Sequence, residues 1–237
     1  MKKVVAFDLD NTLWDVDPVI VRAEYAMESW FEERFPGFDA RYPFAVRQEI
    51  RKALIVEQPS LLANISAARY EVYKTALKQF GLPTEEADSV AQAALSYFSE
   101  WRQKVDLYPH VKEVLEGLQS DYSLIAITNG NADVFHPYVG IGHYFDFAIR
   151  ADQVGVAKPD SKLFELAADK AGVSVERIVH IGDHPIDDVA GAARAGIKSI
   201  WFNRHGARRW DDQWSLRSDI EVHSILELPE AVRLLLP

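Results

Sequence analysis

The sequence contains no cysteine, which excludes a disulfide framework, a thiolate nucleophile and a zinc-thiolate site. It also lacks any apolar run close to the length of a membrane span, so no membrane partner is expected. Lys2 and Lys3 are followed by only four apolar residues before Asp8, too few for a signal-peptide core, and the expected location is the cytoplasm. Positive charge is scarce: 26 lysines and arginines face 36 aspartates and glutamates, a formal net charge of −10, with no long basic stripe. Such a balance opposes sequence-independent binding to nucleic-acid phosphates, and a small anionic substrate would need local cations or a metal. There is no internal repeat and no low-complexity segment. Gly140-Ile141-Gly142 lacks the third glycine of a dinucleotide turn, because position 145 is Phe. The seven histidines show no ligand spacing, and His180 reads as a strand residue satisfied in the core. Asn64-Ile65-Ser66 matches a glycosylation acceptor but falls in a predicted helix without a signal peptide, so it is discounted. Arg204, Arg208 and Arg209 with Trp210 and Trp214 read as surface packing on a C-terminal loop, not a nucleic-acid site.

What is present is a chain of 237 residues, 48% hydrophobic, enough to bury one large core or two modest ones. Val4 to Phe7 is a short run of β-branched and aromatic residues that reads as a buried parallel strand, ending abruptly in Asp8, Asp10, Asn11 and Thr12. From Pro18 to about Lys104 the period is helical. Ile20, Ala23, Met27, Trp30 and Phe31 share one face; Leu62, Ile65, Val72 and Ala76 another; Ala87, Ala91, Ala94, Phe98 and Trp101 a third. With a further helix between Pro43 and Glu57, this block predicts a bundle of about four helices, far too long for a βα connection. It is therefore expected to be a separate cap over residues 16–105.

After Leu107-Tyr108-Pro109 the pattern alternates. Helices are predicted at Val111 to Leu118, Ser161 to Ala171 and Ile186 to Ala195, a helical turn at Asn131 to Tyr138, and strands at Ser123 to Thr128, Phe145 to Arg150, Ile178 to Gly182 and Ser199 to Phe202. Ile220 to Val222 adds a last strand and Leu228 to Leu236 a last helix, with Pro229 tolerable in its first turn. The fold class is α/β: a Rossmann-like, doubly wound parallel sheet over residues 1–15 and 106–237, with an inserted α-helical bundle.

In such sheets ligands bind at the carboxyl ends of the strands, where Asp8 and Asp10 are placed with Thr12 beside them. A second strand ends in Thr128-Asn129-Gly130-Asn131, a hydroxyl followed by small residues able to turn backbone N–H groups toward an anion, although Asn-Gly is also an ordinary turn dipeptide. Lys158-Pro159-Asp160 precedes a helix. A further strand ends in Gly182-Asp183, with Asp187 and Asp188 following. Several acids close together cannot all stay ionised without a cation, and oxygen-only ligands with retained waters suit Mg²⁺.

Taken in order, Asp8-Leu9-Asp10-Asn11-Thr12, Thr128, Lys158-Pro159 and Gly182-Asp183 with Asp188 resemble the four motifs of the haloacid dehalogenase superfamily. The resemblance covers Met1 to about Asn203 and implies a Rossmann-like core with a helical cap inserted after the first strand. It implies Asp8 as nucleophile, Asp10 as acid and then base, and Thr128 and Lys158 holding a phosphate. Mg²⁺ would be bound by Asp8, the backbone carbonyl of Asp10 and Asp183, with Asp188 supporting metal or lysine. Thr12 and Asn129 are expected at the substrate, with Arg69 and Arg102 contributed by the cap.

The expected activity is hydrolysis of a small phosphate ester through an aspartyl phosphate. Dehalogenases of this superfamily lack the acid at the position of Asp10. A sugar phosphomutase-like phosphotransferase shares every motif, whereas a non-enzymatic binding protein on this fold would be expected to have lost one of Asp8, Asp10, Lys158 or Asp183. Pro18-Val19-Ile20, Arg69-Tyr70, Trp101-Arg102 and the Thr128 to Asn131 turn resemble the bacterial branch that dephosphorylates flavin mononucleotide and the ribitylaminouracil phosphate of riboflavin synthesis.

Overall fold

The computed structural model describes residues 2–237 apart from Asp212 and Ser215. The chain divides into two compact units, Met1–Asp15 with Asp106–Pro237, and Val16–Val105.

Among the described residues the first unit has six strands: β1 (Val4–Phe7), β2 (Ser123–Thr128), β3 (Phe147–Arg150), β4 (Ile178–Gly182), β5 (Lys198–Phe202) and β6 (Ile220–Val222). They form one sheet in the order β3-β2-β1-β4-β5-β6, every pair parallel. A parallel sheet is covered on both faces, which is why its central strands are unbroken apolar runs; all four residues of β1 are fully buried. Strand order reverses at β1, where a crevice opens at the carboxyl edge. Phe7 pairs with Ala126 of β2 and with Ile181 of β4, and the Asp8 N–H donates to the Ile181 carbonyl at 2.8 Å. The segment after β1 therefore emerges between the ends of β2 and β4.

The second unit contains α1 (Val16–Arg34), the single turn α2 (Phe38–Arg41), α3 (Phe44–Glu57), α4 (Ile65–Phe80) and α5 (Thr84–Arg102). Ala23, Met27, Phe31, Phe38, Tyr73, Ala76, Ala91 and Phe98 form its core, the small alanines letting the helices approach while the rings fill the space between. Leu62 departs from the predicted pattern. The Asn64 side chain accepts from the Ala67 N–H at 2.8 Å and starts α4 at Ile65, so Leu62 belongs to the preceding 3-10 turn and is exposed while Leu61 is buried. The core also holds a charged cluster that periodicity does not reveal: Glu24 accepts from Arg47 at 2.8 Å and from Arg69 at 2.6 Å, and Arg47 also reaches Asp39 at 3.1 Å.

Back in the sheet unit, α6 (Val111–Gln119), α7 (Ala151–Val154), α8 (Ser161–Ala171), α9 (Gly191–Arg194) and α10 (Leu228–Leu235) connect or follow the strands. The carboxylate of Asp160 caps α8 by accepting from the Lys162 N–H at 3.0 Å, and Gly172, at φ 68°, closes it in the left-handed conformation that favours glycine. Leu163, Phe164, Ala167 and Ala168 of this helix pack on Val4, Ala6, Ile125, Ile127 and Ile178.

Three predicted elements differ from the structure. Residues 131–138 form turns and no helix, because the Asp133 carboxylate accepts from the Phe135 N–H and the His136 ring from the Tyr138 N–H, taking up donors that a helix would need. Phe145 lies before β3, at the end of a 3-10 turn over Gly142–Tyr144. The helix expected from Ile186 opens instead as a wide π turn over Pro185–Ala190 before α9. Wide turns of this kind often accompany functional sites.

Candidate active site

Asp8, Asp10, Thr128, Asn129, Lys158, Asp183, His184, Asp187, Asp188 and Arg208 line one pocket of about 210 Å³ at the carboxyl edge of the sheet. Residues spread over 200 positions meet there because β1 runs between β2 and β4.

Lys158 is the hub. Its Nζ donates to Asp8 Oδ1 at 2.6 Å, to Asp188 Oδ1 at 2.6 Å and to the Ile127 carbonyl at 2.9 Å, which engages all three ammonium protons. Burial alone would favour discharging this amine, but Asp188 and Asp8 outweigh it and hold its pKa above the usual lysine range. The backbone of Lys158 is fixed by Asn129, whose Nδ2 donates to the Lys158 carbonyl at 2.9 Å while its Oδ1 accepts from the Lys158 N–H at 2.8 Å. Asn129, expected at the substrate, lines the pocket, and both ends of its amide anchor the lysine.

Asp188 is almost fully buried and accepts three hydrogen bonds: Lys158 and His180 Nε2 at Oδ1, the latter at 2.9 Å, and the His184 N–H at Oδ2, also at 2.9 Å. Burial opposes its ionisation, yet Lys158 and His180 overcome that and hold its carboxyl well below the usual range. Since an ionised Asp188 only accepts, His180 carries its proton on Nε2. Burial also pushes the His180 pKa down, keeping the ring neutral against the pull of Asp188. The residue expected merely to be satisfied in the core thus orients the acid that holds Lys158.

Gly182 makes this arrangement possible, because a Cβ there would stand 2.1 Å from Asp188 Cγ. Gly182→Ala is expected to push Asp188 off Lys158 and to destabilise the protein by about 1–3 kcal/mol, the scale of an overpacked interior site. Thermal melting checks this; a Tm equal to that of the unsubstituted protein would contradict it.

Asp8 and Asp183 show the opposite electrostatic behaviour. Burial pushes the Asp8 carboxyl well up, and Asp188 and Asp183 add to this against the pull of Lys158. Burial and then Asp188 push Asp183 up to about 7, with Arg208 opposing. One oxygen each from Asp8, Asp183 and Asp188 lies within 4.8 Å of the others, so this buried acidic group can hold a cation. A divalent ion would offset the burial and the repulsion that raise the two carboxyls, and the all-oxygen donor set suits a hard cation. Asp188 has one lone pair left on Oδ2 for such a role, the remainder being engaged.

Around this centre, Trp14 Nε1 donates to Asp10 Oδ1 at 2.8 Å and so fixes the Asp10 carboxyl. Thr12, expected at the substrate, is fully buried and donates from its hydroxyl to Asp8 Oδ2 at 3.3 Å, so it supports Asp8 instead. Thr128 Oγ1 accepts from the Gly130 N–H at 3.0 Å, which leaves the hydroxyl proton to donate. The expected cap contacts belong to the helical unit and serve its interior: Arg69 donates to Glu24 and to Tyr73 Oη and lies 3.4 Å over the Phe98 ring, and Arg102 is 1% exposed.

Arg208 lies beyond what sequence reasoning assigned to the site. Its Nη1 donates to the Asp183 carbonyl at 3.3 Å and lies 3.6 Å from Asp183 Oδ2, while Trp201 Nε1 donates to the same carbonyl at 2.8 Å. Trp201 in turn packs edge-on against Trp210 and Trp214. The arginine and tryptophan cluster was legible as packing, but nothing local in the sequence points it at Asp183.

Three comparisons with known proteins agree with this geometry. The family model for haloacid dehalogenase-like hydrolases matches residues 2–196. The chain is 32% identical over 231 residues to the 5-amino-6-(5-phospho-D-ribitylamino)uracil phosphatase YigB of Escherichia coli (strain K12), covering 96% of this chain and 95% of that protein. It is 30% identical to a phosphoserine phosphatase of Thermus thermophilus, covering 95% of this chain and 97% of that one. Among solved structures, a 2-haloacid dehalogenase from Pseudomonas syringae pv. Tomato DC3000 superposes with a TM-score of 0.91 at 40% identity, covering 99% of each chain. Because the family model spans most of the chain and these relatives align along nearly all of it, the chain belongs to the haloacid dehalogenase-like hydrolase family.

Proposed function

We propose that this protein is a Mg²⁺-dependent phosphomonoesterase that works through an aspartyl phosphate on Asp8. The observation that carries the reading is Asp10, a second carboxyl two residues beyond the one held by Lys158, with its orientation fixed by Trp14. Displacing a halide needs no proton, because the halide leaves as a stable anion. Displacing an alkoxide from phosphorus does need one, and Asp10 supplies it.

In this mechanism Asp8, with Oδ1 on Lys158, attacks phosphorus through its other oxygen while Asp10 protonates the departing alkoxide. Asp10, now a base, deprotonates the water that releases phosphate from Asp8. Lys158 and the hydroxyl of Thr128 stabilise charge on the transferring oxygens. Asp8, the Asp10 backbone carbonyl and Asp183 would hold Mg²⁺, with Asp188 keeping Lys158 in place. When bound, the ion supplies Lewis-acid neutralisation of phosphoryl charge.

The raised Asp183 pKa gives this proposal a pH signature. With its folded pKa near 7 against an ordinary 3.8, Asp183 binds a proton in the ion-free protein that the unfolded chain has already lost. Its contribution to stability is therefore fully present below the ordinary carboxylate pKa and is lost as pH rises toward 7. Mg²⁺ must displace that proton, so its affinity is expected to rise with pH between about pH 5 and 7, by up to about tenfold per unit from Asp183 alone and more steeply where the raised Asp8 carboxyl is discharged as well. Calorimetric titration checks this; an affinity independent of pH over that range would contradict it.

The resemblance to the ribitylaminouracil phosphate phosphatase supports a phosphorylated metabolite of that class as substrate, and the motif resemblance adds flavin mononucleotide as a candidate. The 2-haloacid dehalogenase at 40% identity favours a second reading, carbon-halogen hydrolysis at Asp8. Parallel assays of phosphate release from flavin mononucleotide and a panel of phosphorylated metabolites, and of chloride release from 2-chloropropionate, decide between them. Phosphate without chloride is expected; chloride without phosphate would overturn the proposal. Isomerisation dependent on a sugar bisphosphate would instead indicate a phosphomutase.

A further inference from the structure

Two residues beside Asp183 have no part in the chemistry above. The His184 side chain is 45% exposed and lines the pocket, and its Nδ1 accepts from the Asp187 N–H at 3.0 Å. A neutral imidazole that accepts at Nδ1 carries its proton on Nε2, and among the described residues that N–H has no partner. Arg208 also lines the pocket, with Nη1 on Asp183; among the described residues its Nε and Nη2 have no hydrogen-bond partner. The position of Arg208 is set from within the fold. Asn203, buried at the end of β5, donates from Nδ2 to the Arg208 carbonyl at 2.7 Å and accepts from the Arg208 N–H at 3.0 Å. The same Nδ2 is also held by Glu221 of β6 at 2.6 Å.

Lys158 has no proton to spare, whereas His184 and Arg208 keep nitrogen donors that have no partner among the described residues. Their ligand must offer oxygen acceptors. It is not a second anionic group, because the wall carries five carboxylates, Asp8, Asp10, Asp183, Asp187 and Asp188, against two cations, and even a divalent ion leaves that balance negative. Hydroxyl groups fit both sides: they accept from His184 and Arg208 and donate to the half-buried Asp187 carboxylate.

Resting on the phosphatase reading, we propose that His184 and Arg208 form a hydroxyl-recognising edge that selects phosphate monoesters of polyhydroxylated alcohols. The core thereby reads the leaving group itself, through donors flanking Asp183.

The test compares ribitol 5-phosphate with pentyl phosphate, which has the same chain length and no free hydroxyl. Calorimetric Kd values are measured on the Asp8→Asn protein, where turnover does not intervene. Ribitol 5-phosphate is expected to bind about tenfold or more tightly than pentyl phosphate, the scale of one or two hydrogen bonds that include a charged donor. His184→Phe and Arg208→Met should each shrink that ratio to within about threefold, and His184→Gln, which keeps a donor, should recover part of it. Equal affinities in the parent, no binding of either ester, or a ratio that survives both substitutions would overturn the proposal. Phosphate release by the protein with Asp8 intact is assayed on the same esters: if neither releases phosphate while the Kd ratio holds, the phosphatase reading fails and hydroxyl recognition stands.

Discussion

Asp8→Asn is expected to abolish phosphate release, by roughly 10⁴-fold or more, as removal of a nucleophile does elsewhere. The fold should survive. Asparagine has the shape of aspartate, its Oδ1 can still accept from Lys158, and its Nδ2 replaces an oxygen that receives only a 3.3 Å contact from Thr12. The substitution also removes a carboxyl whose ionisation is opposed by burial and by Asp188 and Asp183, so thermal stability should be at least retained. Phosphate release alongside a melting curve makes the measurement. Near-normal release from a folded Asp8→Asn protein would rule out the aspartyl phosphate.

Asp10→Asn separates the two halves of the reaction. Trp14 can keep its 2.8 Å hydrogen bond to the amide oxygen, so the side chain stays in place while its proton chemistry is lost. Attack by Asp8 on esters with good leaving groups should continue, because such groups leave without protonation. Hydrolysis of the phosphoenzyme should slow by about 10²–10⁴-fold, the range for a lost general base. Rapid quench with a nitrophenyl phosphate should then show phosphate accumulating covalently on the protein. Unchanged turnover of both good and poor leaving groups would remove Asp10 from the mechanism.

The candidate site was legible in part because strand ends are marked locally. Apolar runs that stop at Asp8, Thr128 and Gly182-Asp183 identify the carboxyl edge without any knowledge of strand order. The supporting residues carry no such mark. His180 lies inside an apolar strand and meets Asp188 only because the turn after β4 folds back on it, and Arg208 lies in a polar loop that meets Asp183 because β5 runs beside β4. A polar residue near a phosphate motif suggests the ligand, yet Thr12 is fully buried against Asp8, and Asn129, which does line the pocket, also holds Lys158. Arg69 was expected at the substrate, since helical periodicity records hydrophobicity and not pairing. Glu24, forty-five residues earlier, gives it an inward partner.

By itself, the sequence determined the composition of the core, the apolar runs that become β1, β2 and β4, the capped amphipathic segments, and the identity of the acids and the lysine. These follow from local preferences, since burial periodicity and capping are decided within a few residues. Only the tertiary structure decided which charges meet. Lys158 is held between Asp8 and Asp188, 150 and 30 positions away, and their ionisation is set jointly by burial and by one another. Electrostatic energy depends on distance and desolvation in three dimensions, and neither exists until the strands have taken their order.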